Sequence, residues 1–318
     1  MNANASLELD LESPGPRRRG SWIDYVEGTA RALLERGFAL GGADLLIDSD
    51  VPTGAGLSAS AALEIAVGYA LARLGGDSAP DRVKLALAGQ AAEHEYVGMQ
   101  CGIMDQCIAA LGHNDHALLI DCRSLEHKPI ALELETSCIL VCDTKVKHQL
   151  ATSAYNARRR ECKEGVQLLA QALPGIRSLR DVTESNLEAL FPELPPLLAK
   201  RCRHVVRENA RTLAAARHLQ AGSFQEFGAL MSASHASLRD DYEVSCAELD
   251  EAVAAALRQP GVYGSRMTGG GFGGCTVTLL ERSAVDRVCA AIHERLATQL
   301  AIEPSFFATR ACDGVREE

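Results

Sequence analysis

The stretch Val51-Pro-Thr-Gly-Ala-Gly-Leu-Ser-Ala-Ser-Ala-Ala-Leu-Glu-Ile-Ala66 decides how this chain is read. Pro52, Gly54 and Gly56 interrupt regular structure after a run from Asp44 to Asp50. Ser58 or Ser60 can then cap the helix that Ala61 to Ala72 propose. A helix N-terminus offers unpaired N–H groups and the positive end of a dipole, and side chains this small let a phosphate come close. The same residues also suit an ordinary tight turn into a buried helix. They are not a Walker A loop, because no Gly-Lys-Ser/Thr follows.

Working outward, Trp22 to Arg36 has the apolar spacing of an amphipathic helix ending at Gly37. Ala43 to Val51 reads as a strand, and Ser58 to Leu74 as a nearly all-apolar, central helix. Asp81 to Val97 is a helix opened by an acid and closed by Gly98, and a short helix runs to Leu111. Strands are expected at His116 to Cys122, Ile130 to Leu134 and Cys138 to Asp143. Beyond these the chain turns helical and more charged. Helices are expected at Ser153 to Gln171, Pro195 to Leu219, Phe224 to Leu238 and Cys246 to Leu257, with a break at Leu194-Pro-Pro-Leu197. Strands at Val262 to Met267 and Cys275 to Leu280 flank Gly269-Gly-Gly-Phe-Gly-Gly274. A helix at Val285 to Gln299 and a strand at Ser305 to Thr309 follow. Helices and strands mix in both halves, so the class is α+β.

The 318 residues are 47 % apolar and 23 % charged, which suits a globular protein with a sizeable core. A net charge of −10 argues against nucleic acid and anionic membranes as partners. No apolar run has the length of a membrane span, and residues 1 to 10 lack a secretory pattern. Eleven scattered cysteines, without C-x-x-C, read as thiols of a reducing cytoplasm. Cys138 and Cys142 alternate onto one face of their strand. His113 and His116 read as solvated loop residues.

Three further stretches could carry chemistry. Asp105, in Cys101-Gly-Ile-Met-Asp-Gln106, sits in an apolar setting where an acid needs a partner or a job, although a capping or salt-bridged Asp is the commoner reason for such a residue. Glu93, in Ala92-Glu-His-Glu95, could hold Mg²⁺, which takes oxygen ligands, or lie on a solvated helix face. Five glycines in six positions at 269–274 exceed what a hairpin needs.

In this order, Pro-x-Gly-x-Gly-Leu-Ser-x-Ser-Ala, Cys-Gly-Ile-Met-Asp-Gln and Gly-Ser-Arg-Met-Thr-Gly-Gly-Gly-Phe-Gly-Gly-Cys-Thr-Val closely resemble galactokinases of the GHMP small-molecule kinase family. The likeness extends to His116–Leu125 and Ser237–Cys246, and covers the chain from about Trp22 to its end. It implies a ribosomal S5 domain 2-like first domain at 21–134, truncated at its start, and a ferredoxin-like helical second domain at 135–318. Residues 1–20, with Pro14, Gly15, Pro16 and Arg17–Arg19, propose no core of their own and read as a poorly structured leader. The site would lie in the cleft between the domains. By resemblance, Gly54, Ala55, Gly56, Leu57, Ser58 and Ser60 cradle the phosphates of ATP, and Ser60 and Glu93 sit at Mg²⁺. Asp105 is the catalytic aspartate beside the sugar C1 hydroxyl. Gly102, Asp105 and Tyr155 contact galactose. The implied reaction makes galactose 1-phosphate, in the cytoplasm, by a monomer.

Two departures accompany the resemblance. Ala59 stands where the family usually has serine. Residues 1–50 hold nothing like the family's Gly-Arg-x-Asn-Leu-Ile-Gly-Glu-His-x-Asp-Tyr motif, which supplies a catalytic arginine and sugar ligands. The expectation is therefore a galactokinase truncated at its start, with little turnover, since losing a charge-stabilising donor typically costs ~10²–10³ in rate. The alternatives are a non-catalytic regulator that senses ATP and sugar, and a GHMP sugar kinase with another acceptor hydroxyl.

Overall fold

The computed structural model describes residues 6–13, 18–147 and 151–318. They form two compact units, one of residues 1–131 with the C-terminal Ala311–Glu318, the other of Leu132–Arg310. Pro14, Gly15, Pro16 and Arg17 of the expected leader lie outside the described residues.

The first unit is built on four helices: α1 (Ile23–Glu35), α2 (Ala59–Leu74), α3 (Arg82–Ala92) and α4 (Met104–Leu111). Their apolar stripes meet in two cores, and α2 serves both. Ile65 packs with Leu33, Leu85, Ile103 and Cys107, whereas Val67 and Leu71 pack with Ile23, Val26 and Ala30. Leu9 and Leu11 lean on the second core, and Arg31 donates to the carbonyl oxygens of Asp10 and Leu11. This part of the leader is thus tied to α1. Asp81 caps α3 by accepting from the N–H groups of Val83 and Lys84. The last residues return to this unit, with Gly314 donating to Gly112 and Val315 to Ala109.

Three expectations change here. Residues 43–51 form no strand. A strand exists only through its ladder, and among the described residues none pairs with this segment; Leu46 is 99 % exposed. Neither Ser58 nor Ser60 caps α2: Ser58 takes the cap position in a left-handed conformation with no side-chain cap bond. The strand expected at Ile130 to Leu134 lies earlier. β1 (His116–Ile120) and β2 (His127–Ala131) pair antiparallel, Ile120 opposite His127. A turn closed by Asp121 N–H to the Glu126 carbonyl, 2.8 Å, sets that register.

The second unit holds a four-stranded antiparallel sheet in the order β4 (Val262–Met267), β5 (Gly273–Glu281), β3 (Ser137–Lys147), β6 (Ser305–Thr309). Around it run α5 (Ala151–Ala172), α6 (Glu184–Leu190), α7 (Pro196–Gln220), α8 (Phe224–Asp240), α9 (Ala247–Leu257) and α10 (Val285–Leu300). Cys138, Leu140 and Cys142 share one sheet face and pack on Ala252, Val288, Ile292 and Leu296 of α9 and α10. A separate helical core joins α5, α6 and α7 through Leu169, Leu187, Cys202 and Val206. The seven-residue α6 has too few residues to show a helical period, and the sequence reading passed over it.

Candidate active site

In the first unit the turn before α2 is wound by alternate left-handed residues: Gly54 at φ +69°, Gly56 at +74° and Ser58 at +58°. Such a winding turns successive N–H groups inward and makes an anion-binding nest. Ala55 beneath it is 2 % exposed. With no side chain capping α2, its first N–H groups face the same turn. Ser60, in the first turn, stands near Glu93, where its hydroxyl favours the ionised carboxyl.

Glu93 follows the last residue of α3 and opens a π-helical turn, Glu93–Val97, that ends at left-handed Gly98. Gly98 and Met99 both donate to its carbonyl oxygen, at 2.8 and 3.0 Å. Its side chain is 4 % exposed, and Oε2 is buried without a hydrogen-bond partner. Burial raises its carboxyl pKa, the Ser60 hydroxyl opposes this, and Asp105 adds to it. A hydroxyl beside an orphaned carboxylate oxygen is an all-oxygen donor pair that fits Mg²⁺, which takes one or two protein ligands and completes its shell with phosphate and water.

Asp105 lies in the first turn of α4, half-buried, where the helix dipole favours a negative charge. Gly102 is exposed, and a Cβ there would meet nothing within 4 Å. The loop between them and Glu93 is pinned by His94 Nε2, 2.9 Å from the Cys101 carbonyl oxygen. The Cys101 thiol is pushed up to about 12, by burial first and then by the charges of Glu93, Glu64 and Asp105. Tyr25 of α1 is likewise pushed up to about 12 by burial, Glu93 and Glu64. Glu93, Asp105 and the glycine turn before α2 therefore belong to one locality, set by the mutual packing of α2, α3 and α4. Sequence reasoning missed Glu64, a lone acid in an apolar helix, which was itself the available signal.

The second unit carries Tyr155 and the glycine loop. Tyr155 of α5 lies against Gly270, whose added Cβ would stand 3.4 Å from its ring. Gly269, Gly271, Phe272, Gly273 and Gly274 all have positive φ. Phe272 donates its N–H to the Val244 carbonyl oxygen at 2.7 Å. Arg158, one turn on from Tyr155, donates to the Tyr242 and Glu243 carbonyl oxygens at 2.7 and 3.0 Å, and lies 5.9 Å over the Phe272 ring.

Family comparison agrees with this picture. The GHMP kinases N terminal domain matches residues 24–113 and the GHMP kinases C terminal domain residues 213–298. Two matched kinase domains on a mixed helix-and-sheet fold define a small-molecule kinase. A galactokinase of Chloroflexus aurantiacus is 53 % identical over 290 residues, 91 % of this chain and 74 % of that protein. A Roseiflexus galactokinase is 49 % identical over 299 residues, 94 % of this chain and 76 % of that one. The crystal structure of Lactococcus lactis galactokinase complexed with galactose superposes with a TM-score of 0.87 at 34 % identity, covering 97 % of this chain and 79 % of that one. The chain belongs to the galactokinases of the GHMP kinase family. Among the described residues, no helix is long and apolar enough to cross a membrane.

Proposed function

We propose that this kinase transfers the γ-phosphoryl group of ATP to the C1 hydroxyl of galactose, in the cytosol. The observation that carries the reading is that the three helices α2, α3 and α4 pack together and bring the phosphate turn, Glu93 and Asp105 to one locality. Phosphoryl transfer needs positioning and charge neutralisation more than covalent chemistry, and these residues supply both. Backbone N–H groups of Gly54, Ala55, Gly56, Leu57 and Ser58, with Ser60 at the start of α2, hold the phosphates. Ser60 and Glu93 are the residues that would hold Mg²⁺, which when bound offsets phosphate charge. Asp105 accepts the proton of the attacking hydroxyl or orients it. Gly102, bare of side chain, leaves room for the sugar, and Tyr155 contacts galactose.

The sensing, non-catalytic reading is not favoured, since the relatives at 49 to 53 % identity are galactokinases. The test is galactose- and Mg·ATP-dependent formation of galactose 1-phosphate, with equimolar ADP, by the purified chain. Asp105→Asn is expected to lower kcat by ~10²–10⁴, the usual contribution of a positioned base. Nucleotide binding without product, both in this chain, whose expected turnover is low, and in one extended with the family's Gly-Arg-x-Asn-Leu-Ile-Gly-Glu-His-x-Asp-Tyr motif, would overturn the assignment and restore the sensor. Product from another sugar in preference to galactose would move it to a different acceptor.

A further inference from the structure

Glu64 is the one acid in the apolar run Ala61-Ala-Leu-Glu-Ile-Ala-Val67, and it is 0 % exposed. Its Oε2 accepts a hydrogen bond from Gln106 Nε2 at 3.0 Å, and Gln106 is itself 2 % exposed. Gly89 forms the third wall. A Cβ there would stand 2.9 Å from Glu64 Oε2 and 3.0 Å from Gln106 Cγ, so α3 presents bare backbone to the pair. Three helices meet at this polar contact.

They are the three helices that end in the candidate chemistry. Ser60 lies one helical turn before Glu64 on α2, Glu93 lies one turn beyond Gly89 past α3, and Asp105 is the neighbour of Gln106 on α4. A carboxyl in such a place is costly. Burial, then the charge of Glu93, drives its pKa well above the carboxylate range, against the Gln106 hydrogen bond. Leucine or methionine would fill the space without that cost. What an apolar side chain cannot supply is direction. Apolar surfaces slide and rotate with little penalty, whereas a buried hydrogen bond against a glycine fixes one register. Register matters here, because a misplacement of about 1 Å can cost ~10² in rate.

We propose that Glu64 is a positioning residue: through Gln106 and against Gly89 it locks α2, α3 and α4 in the register that sets Asp105 relative to Ser60 and Glu93. The proposal rests on the catalytic reading of Asp105, and its test keeps the two apart. Removing both partners of a buried hydrogen bond together can be nearly neutral for stability. Glu64→Leu with Gln106→Leu therefore separates positioning from folding. In steady-state assays with galactose and Mg·ATP, the double variant is expected to keep its melting temperature and its galactose KM within about threefold, yet lose about 10- to 100-fold in kcat. Glu64→Gln keeps an acceptor for the Gln106 amide and is expected to hold kcat within about threefold of the parent chain. Asp105→Asn is assayed alongside. A folded double variant with parental kcat, while Asp105→Asn abolishes turnover, overturns the positioning role and leaves Asp105 standing. Parental turnover in Asp105→Asn overturns both. Should the double variant fail to fold, Gly89→Ala decides. Its methyl group enters the same contact without removing a polar group, and parental kcat there overturns the proposal.

Discussion

Gly28 of α1 faces Ala92 of α3 so closely that a Cβ on the glycine would stand 2.7 Å from the alanine Cβ. Tyr96 closes the same gap from the π-helical turn, at 3.0 Å. The contact lies one residue before Glu93, so the two backbones that meet here set where that carboxylate begins. Helix propensity alone favours alanine over glycine by about 1 kcal/mol. The clash is with backbone and a β-carbon, which cannot swing aside, so overpacking wins. Gly28→Ala is expected to destabilise the chain by about 1–3 kcal/mol, read as a lower midpoint in urea unfolding. An unchanged or raised midpoint would show that α1 and α3 part freely.

Gly271 depends on conformation as well as space. Its φ is +83°, and a Cβ would come 2.2 Å from the carbonyl oxygen of Val244, the same oxygen that receives the Phe272 N–H. Gly271→Ala therefore brings left-handed strain of about 1–3 kcal/mol and displaces the Val244 hydrogen bond besides. The expected result is a larger loss of stability than in Gly270→Ala, whose φ is not left-handed and whose nearest neighbour is the Tyr155 ring at 3.4 Å. Thermal melts of the pair check the order, and the reverse order would refute it.

These glycines show what was legible in the sequence. Five in six positions announced a backbone that must be bare, and the structure spreads the need over loop winding and close approach. Long periodic helices such as Pro196–Gln220 were legible because one stripe repeats many times. Residues 43–51 misled, because an apolar run marks what could pair, while pairing itself depends on a neighbour that pattern does not reveal. Ser58 misled for another reason: its residue type promised a cap, but three left-handed residues in a five-residue turn carry the chain past cap geometry. Glu64 and Gln106 were invisible as a pair because they are 42 positions apart, and only the packing of α2 on α4 joins them.

His204 offers a test by pH. It is 6 % exposed, stacked on Tyr242 at 4.5 Å, with Nδ1 2.9 Å from the Ser237 hydroxyl. Burial drives its pKa down from 6.5 to about 4, against the nearby Glu208 charge. Between those values the unfolded chain binds a proton that the folded chain refuses, so stability falls as pH drops from about 6.5 to about 4. His204→Phe keeps an aromatic ring but has no proton to take up. In urea titrations the parent is expected to lose stability relative to the variant as pH falls across that window. A difference that stays constant with pH would show that His204 is not held neutral.

Glu243, held by Arg201, titrates over a different range. Arg201, 1 % exposed in its side chain, donates to Glu243 at 2.7 Å, to Glu161 at 2.6 Å and to the Asp241 carbonyl oxygen at 2.6 Å. Lys200 holds the other Glu243 oxygen at 2.8 Å. The hydrogen bond from Lys200, followed by that from Arg201, brings the Glu243 carboxyl down to about 2 from a starting value of 4.5. A depressed carboxyl stabilises the fold fully above its unfolded value and loses that contribution as pH falls through the folded one. Glu243 is more than a third exposed, so solvent screens the pair and the contribution is modest. Glu243→Gln is accordingly expected to lower the melting temperature most above pH 5, and to converge with the parent as pH falls from about 4.5 towards 2. Arg201→Met should cost more at neutral pH, towards the lower end of the ~3–5 kcal/mol for breaking a buried pair, because both carboxylates it leaves can reach water. A Glu243→Gln difference that grows on acidification would show that the carboxylate is not held ionised by these partners.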